Sequence, residues 1–393
     1  MKATKSAPQS KEKPTPAPEV VVLGDHPSAY LAALMLHSGD KAGRGAVRVL
    51  HATIPDQSEP DRLVVINPAF FSLHPALEVL RRRLEMTTLY GLQFVSDDPA
   101  VRSEHRSKSG LGYVASSKAV RAELCRLVTD AGVETHVAKH FDLHRVDERG
   151  LDFTVNKHRR TAQALVLAGR LPEGQSRMLA LPTSWEPGVM HRYTFLKLAG
   201  GKKWADLGQR PVAPMSLNLR DTLCWGWLLP GPKHCQLSVS QPVEQAQKLP
   251  PGELLAHWAR VLRAGGVLLR DDVPLAEAQH LDLPLAGALT AEGVANRTLL
   301  LGPAGGFYCQ SGEDIYPNCW SAQYACEAIK KALKEPHLQD ALGPYRSRWR
   351  TTLGQYLRGP QQDFRFLLPL IYRNEVMTCR LTESILQGKS VVR

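Results

Sequence analysis

One short segment restricts the fold of this chain more than any other: the wholly apolar run Val20–Leu23, which is followed by a glycine turn. An unbroken, mostly β-branched run of this length is typical of a strand buried on both faces of a parallel sheet. Residues 28–37 then place Tyr30 and Leu34 on one helical face, and residues 47–50 return to the strand pattern. Strand, turn, helix and strand in this order form a βαβ unit with a right-handed crossover. The sequence therefore predicts an α/β fold.

Length and charge restrict the kinds of protein that this chain can be. Its 393 residues are 43% apolar, which suits two or more packed units at roughly 100–200 residues per domain. The formal net charge is +11, of which residues 1–18 contribute +3. This first stretch is rich in Lys, Pro and Ser and predicts a disordered basic tail. The rest carries no helix-turn-helix or aromatic–basic motif, so we expect no nucleic-acid partner.

Cysteine spacing and hydropathy indicate the cellular compartment of the protein. The seven cysteines are odd in number and form no C-x-x-C pair, so neither a disulfide framework nor a zinc site is predicted. There is no secretory signal and no run of about 18 apolar residues. We expect a cytoplasmic protein without stable membrane insertion, and peripheral membrane association stays open. No feature specifies an oligomeric state.

The pattern of apolar residues changes in the middle of the chain. Short alternating runs at 192–198, 224–229 and 235–239 predict an antiparallel sheet inserted into the α/β framework. Residues 102–108 are polar and basic and predict a solvated loop. The last 58 residues, 336–393, have the spacing of basic helices.

The turn after the first strand is the first candidate binding element. A dinucleotide fold needs G-x-G-x-x-G here, because the glycines allow a tight turn and close approach of the pyrophosphate. This chain has Gly24, then His26, then Ala29. The acidic residue that binds a ribose at the end of the second strand is missing, and His51 stands in its place. From this turn alone, a binding site and a purely structural βαβ unit both stay open.

A stronger pattern occupies residues 299–315, which read Leu-Leu-Leu-Gly-Pro-Ala-Gly-Gly-Phe-Tyr-Cys-Gln-Ser-Gly-Glu-Asp-Ile before a helix. It resembles the second flavin-binding motif of the geranylgeranyl reductase branch of the FAD-dependent oxidoreductases, with G-D-A-A-G-aromatic and then G-E-G-I. Residues 223–230 are similar to the family's Y-G-W-x-F-P strand, and residues 165–170 resemble its strand ending in A-D-G. The matches occur in the family's order.

The resemblance implies a fold and a division of the chain. The expected fold is a Rossmann-like FAD-binding domain of the α/β class, with an inserted antiparallel β-sheet substrate domain and a helical C-terminal extension. The implied parts are the tail 1–18, the two parts of the FAD-binding domain at 19–175 and 296–335, the mainly β substrate domain at 176–295, and the extension 336–393.

The resemblance also implies a function. It would be an FAD-dependent oxidoreductase that acts on an apolar small molecule, isoprenoid-like or aromatic, with NAD(P)H as a candidate electron donor. The residues implied for the AMP half of FAD are Gly24, His26, Pro27, Ala29 and His51. Those implied for the flavin half are Gly302, Pro303, Ala304, Gly306, Gly312 and Glu313. Trp225 and Trp227 would share one strand face and bind substrate.

Several departures from the family pattern leave a second hypothesis open. Pro303 replaces the aspartate that holds the ribityl hydroxyls, and it offers neither a carboxylate nor an N–H. His26 replaces the glycine beside the pyrophosphate, and Ser116 or Ser117 stands where the family has arginine. Either FAD is held differently, or the chain is a cofactor-free binding protein of the same fold. No side chain stands out as an acid or base, so no catalytic residue is assigned.

Overall fold

The computed structural model describes residues 20–37, 47–54, 59–182, 184–200, 205, 207–309, 314–358 and 368–390. Its strands, in chain order, are β1 (Val20–Leu23), β2 (Val49–Thr53), β3 (Leu63–Ile66), β4 (Thr87–Leu89), β5 (Gly91–Val95), β6 (Arg102–Arg106), β7 (Gly112–Ser116), β8 (Glu134–Val137), β9 (Phe141–Asp147), β10 (Gly150–Val155), β11 (His158–Ala162), β12 (Ala164–Leu167), β13 (Met190–Ala199), β14 (Val212–Leu219), β15 (Thr222–Pro230), β16 (His234–Pro242), β17 (Gln279–Pro284), β18 (Val294–Ala295) and β19 (Thr298–Leu300).

Helices alternate with these strands and dominate the C-terminal part. In chain order they are α1 (Pro27–His37), α2 (Leu77–Arg83), α3 (Ser117–Asp130), α4 (Glu173–Met178), α5 (Val243–Ala246), α6 (Pro251–Ala264), α7 (Gly302–Gly305), α8 (Ile315–Ala332), α9 (Leu338–Leu342), α10 (Pro344–Arg350), α11 (Leu353–Arg358), α12 (Leu368–Arg373) and α13 (Glu375–Gln387). Among the described helices, none is both long enough and apolar enough to cross a membrane.

A mainly parallel sheet organises the first layer, in the order β18-β19-β12-β1-β2-β8. All its pairings are parallel except that of β18 with β19. Val20 and Val22 face the core formed with α1, α3 and α8, whereas Val21 and Leu23 face the core under the small sheet β9–β11. The strand is therefore buried on both faces, as its unbroken apolar sequence predicts.

The second layer is a seven-stranded sheet in the order β17-β13-β16-β15-β14-β5-β6. Strands β13 to β17 pair antiparallel, as the alternating runs predict. Helix α6 packs on one face, while α12 and α13 pack on the other. The predicted fold class is confirmed: a parallel sheet with helices, an antiparallel sheet and C-terminal helices.

Two strands of this sheet come from an earlier part of the chain. Both β5 and β6 lie within residues 19–175, so that segment contributes to both layers. The prediction of a solvated loop at 102–108 is wrong, because Arg102–Arg106 forms the edge strand β6. An edge strand carries outward charges that prevent further pairing, and such a strand has the polar composition of a loop.

Candidate functional site

A cavity of about 400 Å³, here called the charged cavity, opens at the carboxyl ends of β1, β12 and β19. It is lined by residues that directly follow these strands, including His26 after β1, Gly169 after β12 and Pro303 after β19. The neighbouring strands β1 and β12 continue toward opposite edges of the sheet, and such a switch point is where α/β folds bind ligands. Its volume is in the range of small-molecule sites, roughly 300–1,000 Å³.

His26 directly precedes the first residue of α1 and binds N–H groups of its first turn. Its side chain is 6% exposed, and burial lowers its pKa, which keeps the imidazole neutral. The ring nitrogen Nδ1 accepts the backbone N–H of Ser28 at 3.2 Å, and the His26 carbonyl accepts that of Ala29 at 2.8 Å. Pro27, the first residue of the helix, has no N–H. The helix terminus that binds pyrophosphate in dinucleotide folds is therefore already satisfied by His26.

His51 lies under the first turn and does not line the charged cavity. Strand β2 continues past it to Thr53, so the expectation that His51 ends this strand is wrong. Its side chain is fully buried, and its Nε2 donates to the Gly24 carbonyl at 3.1 Å. Burial lowers its pKa to about 4, and the ring packs edge-on against Tyr30. His51 supports the turn and has no surface for a ribose.

In the glycine-rich loop after β19, the glycines are needed because other parts of the protein pack closely against them. A Cβ on Gly302 would lie 3.0 Å from both His26 Nδ1 and Ser28 Oγ. Gly306 has a φ of +70°, and a Cβ there would lie 2.7 Å from the Trp185 ring. Pro303 lines the charged cavity, whereas Gly312 and Glu313 lie outside the described residues.

A second cavity, of about 310 Å³ and here called the apolar cavity, adjoins the first. Gly169, Arg170 and Pro303 line both. The other walls of the apolar cavity are mainly hydrophobic and include Leu171, Leu181, Trp185, Met190, Leu300 and Ala304. A ligand could therefore extend from the charged cavity into an apolar one.

The two tryptophans expected to bind substrate lie elsewhere. Trp227 is 2% exposed and packs in the core beneath α12 and α13, and Trp225 is partly buried against the same core. Neither lines the charged or the apolar cavity. The tryptophan that does is Trp185, which the sequence analysis missed. An isolated aromatic residue in the proline-containing segment 182–187 was the one signal that could have identified it.

A buried ionic cluster, also missed, forms the inner wall of the charged cavity. Arg62 is 2% exposed and pairs with both Asp314 and Glu59, the latter at 3.4 Å. Tyr308 donates its hydroxyl to Glu59 at 3.0 Å. Burial alone would raise the pKa of Glu59, but Arg62 and the Tyr308 hydroxyl lower it overall, so Glu59 remains ionised. Glu59 and Arg62 come from a segment that carries no motif, whereas Tyr308 and Asp314 lie within the motif segment 299–315 but were not singled out there.

Two further ion pairs lie at the charged cavity. Arg121 contacts Asp25 at 3.3 Å and donates to the Glu59 carbonyl at 3.0 Å. Arg192, behind the lining, binds Asp282 through two bonds of 2.8 Å. The lining contains four carboxylates and three arginines, so Arg192 brings the local balance to zero. Within the described residues, no cluster of side chains has the composition of a metal site.

Sequence comparisons find no match, whereas structural comparison finds solved proteins of similar fold. No protein-family model and no curated protein matches the chain. The geranylgeranyl bacteriochlorophyll reductase-like protein from Thermoplasma acidophilum matches with a TM-score of 0.65 and 13% identity, over 95% of this chain and 92% of its own. The flavin-dependent brominase Bmp2 matches with a TM-score of 0.65 and 15% identity, over 94% and 93%.

A third structure of the same fold was solved with a ligand. PqsL of Pseudomonas aeruginosa in complex with 2-aminobenzoylacetate matches with a TM-score of 0.61 and 16% identity, over 86% of this chain and 94% of its own. PqsL has been described as a probable FAD-dependent monooxygenase. The chain therefore has the fold of FAD-dependent oxidoreductases, as its motifs predict.

The residues of the charged cavity do not fit FAD in the way the resemblance implies. The N–H groups of Ser28 and Ala29 at the start of α1 are bonded to His26. Arg62, Arg121 and Arg192 face carboxylates, and the carboxylates around the cavity equal the arginines in number, so the two negative charges of a pyrophosphate would find no excess positive charge. Pro303 lacks the carboxylate that the family uses. No chemical step through a flavin follows from this geometry.

Proposed function

We propose that this protein binds an apolar small molecule, isoprenoid-like or aromatic, in the two adjoining cavities and does so without FAD. The observation that carries the proposal is His26, whose ring and carbonyl take the helix N–H groups that would otherwise bind pyrophosphate. The fold supports small-molecule binding, because the charged cavity lies at the switch point of the parallel sheet. The hydrophobic walls around Trp185 support an apolar ligand.

Filling the apolar cavity is expected to abolish ligand binding. In Met190→Trp, the larger ring would occupy the space beside Trp185. Geraniol and indole serve as the isoprenoid-like and aromatic probes, and binding is measured by calorimetry. We expect at least one probe to bind the unmodified protein and to bind Met190→Trp at least about ten-fold more weakly, since burial of its apolar surface is lost.

Leu269→Trp provides the matched control, because Leu269 is 54% exposed and lines neither cavity. This variant should bind both probes as the unmodified protein does. Equal binding by Met190→Trp and the unmodified protein would show that the apolar cavity is not the binding site.

A second candidate is an FAD-dependent oxidoreductase that acts on the same class of molecule, with NAD(P)H as the candidate electron donor. The match to flavin enzymes along nearly the whole chain favours it. It requires FAD to be bound by contacts other than those the family motifs supply. The flavin content of the purified protein separates the two candidates.

A cytoplasmic location is part of the proposal. Within the described residues, none of the seven cysteines forms a disulfide bond, and five of them are buried. Cysteines without disulfide bonds are typical of proteins in reducing compartments.

A further inference from the structure

We propose that the ligand carries a protonated amino group, which binds beside Glu59 and Asp314 at the inner end of the charged cavity. The inference rests on the proposed small-molecule binding and specifies the chemistry of the ligand. Its apolar body would pass Gly169 and Pro303, which line both cavities, into the space beside Trp185.

The buried ionic cluster contains more acidic than basic side chains. It holds two carboxylates, Glu59 and Asp314, against the single guanidinium of Arg62. The side chains of Asp314 and Arg62 are 2% and 3% exposed, and that of Glu59 is 18% exposed. An uncompensated charge is costly in such an environment, so the cluster favours an added cation.

One carboxylate oxygen of the cluster has no hydrogen-bond donor among the described residues. The carboxylate oxygen Oδ1 of Asp314 is buried, and no hydrogen-bond donor among the described residues reaches it. Its other oxygen, Oδ2, is bound by Arg62. Buried carboxylate oxygens without a donor are rare in folded proteins. Because Asp314 lines the charged cavity, an ammonium group there would supply the missing donor.

The neighbouring groups do not supply the missing charge. His26 lies close enough for its pKa to respond to Glu59 and Asp314, but burial is the dominant effect and keeps the ring neutral. Arg121 faces Asp25. An anionic ligand would meet the carboxyl groups of Glu59 and Asp314, whereas an ammonium group has three N–H donors and the required sign.

Three indole derivatives with the same ring and different head groups test the proposal. They are tryptamine, a protonated amine at pH 7, its neutral alcohol tryptophol, and the anionic indole-3-propionate. In calorimetric titrations we expect tryptamine to bind about ten-fold or more tightly than tryptophol, because hydrogen bonds to charged groups are stronger. Indole-3-propionate should bind most weakly. Equal affinity for tryptamine and tryptophol would overturn the proposal.

Two variants locate the amino group. Glu59→Gln and Asp314→Asn should each weaken tryptamine binding by about ten-fold while changing tryptophol binding by less than about two-fold. Asp25→Asn, in the same cavity but paired with Arg121, is the control and should leave the preference for the amine unchanged. If all three variants lost the preference for tryptamine over tryptophol equally, the placement of the amino group beside Glu59 and Asp314 would be contradicted. If tryptophol binds and Met190→Trp removes that binding, small-molecule binding stands even when the preference for amines fails.

Discussion

Replacing Arg62 with methionine is expected to lower the free energy of unfolding by about 3–5 kcal/mol, because breaking a buried ion pair leaves unpaired charges in the interior. Arg62 holds Glu59 and Asp314 within the cluster, and a methionine leaves both carboxylates without their counter-charge. Urea denaturation followed by tryptophan fluorescence measures the loss. Arg177→Met removes an exposed pair with Glu173 and should change the free energy of unfolding by less than about 1 kcal/mol.

The cost of Arg62→Met should depend on pH in a defined direction. The folded-state pKa of Glu59 is below its ordinary value of 4.5, so its contribution to stability is present above that pH. The contribution is lost as the pH falls through the lower folded-state pKa. Since the variant lacks the cation, the difference in stability between the two proteins should shrink below about pH 4.5. A difference that is under 1 kcal/mol at pH 7, or that grows on acidification, would contradict the assigned role of Arg62.

Gly24→Ala is expected to destabilise the protein by about 2–4 kcal/mol, from backbone strain and steric overlap together. Gly24 has a φ of +140°, and a Cβ there would lie 2.9 Å from the carbonyl carbon of Ala168. The glycine thus lets β1 and β12 end side by side. Gly266→Ala isolates the strain, because Gly266 has a φ of +72° with no atom within 4 Å of an added Cβ.

Thermal or urea denaturation of the two glycine variants distinguishes packing from strain. We expect Gly266→Ala to lose only about 1 kcal/mol, the cost of a non-glycine residue at positive φ. Similar losses in both variants would mean that the contact with Ala168 does not matter. In that case, Gly24 would be better explained by a ligand that approaches the turn.

The elements that were predicted correctly are those whose burial leaves a pattern in the sequence. Val20–Leu23 is apolar at every position because helices cover one face and a small sheet covers the other. The alternation around Trp225 and Trp227 predicted strand β15, but a strand pattern does not say what covers each face. Helices α12 and α13, more than 130 residues later, cover the face that the sequence analysis gave to substrate.

The residues of the buried ionic cluster show no such pattern in the sequence. Arg62 and Asp314 are 252 residues apart and meet only because β19 returns beside β12 and α8 begins there. Two positions of the family motif, His26 and Pro303, both line the charged cavity. The motif could not show that the His26 ring accepts the Ser28 N–H of the helix that follows it, because that contact depends on the position of the ring in the folded protein.

The flavin content of the purified protein tests the central claim most directly. The protein should be purified without added cofactor and then titrated with FAD, alongside a His26→Gly/Pro303→Asp variant that restores two family residues. We predict a colourless protein that shows no FAD binding in the titration, and a variant that does bind FAD, because the Ser28 N–H at the start of α1 becomes available to pyrophosphate. A yellow protein with one FAD per chain would contradict the proposal and support an FAD-dependent oxidoreductase.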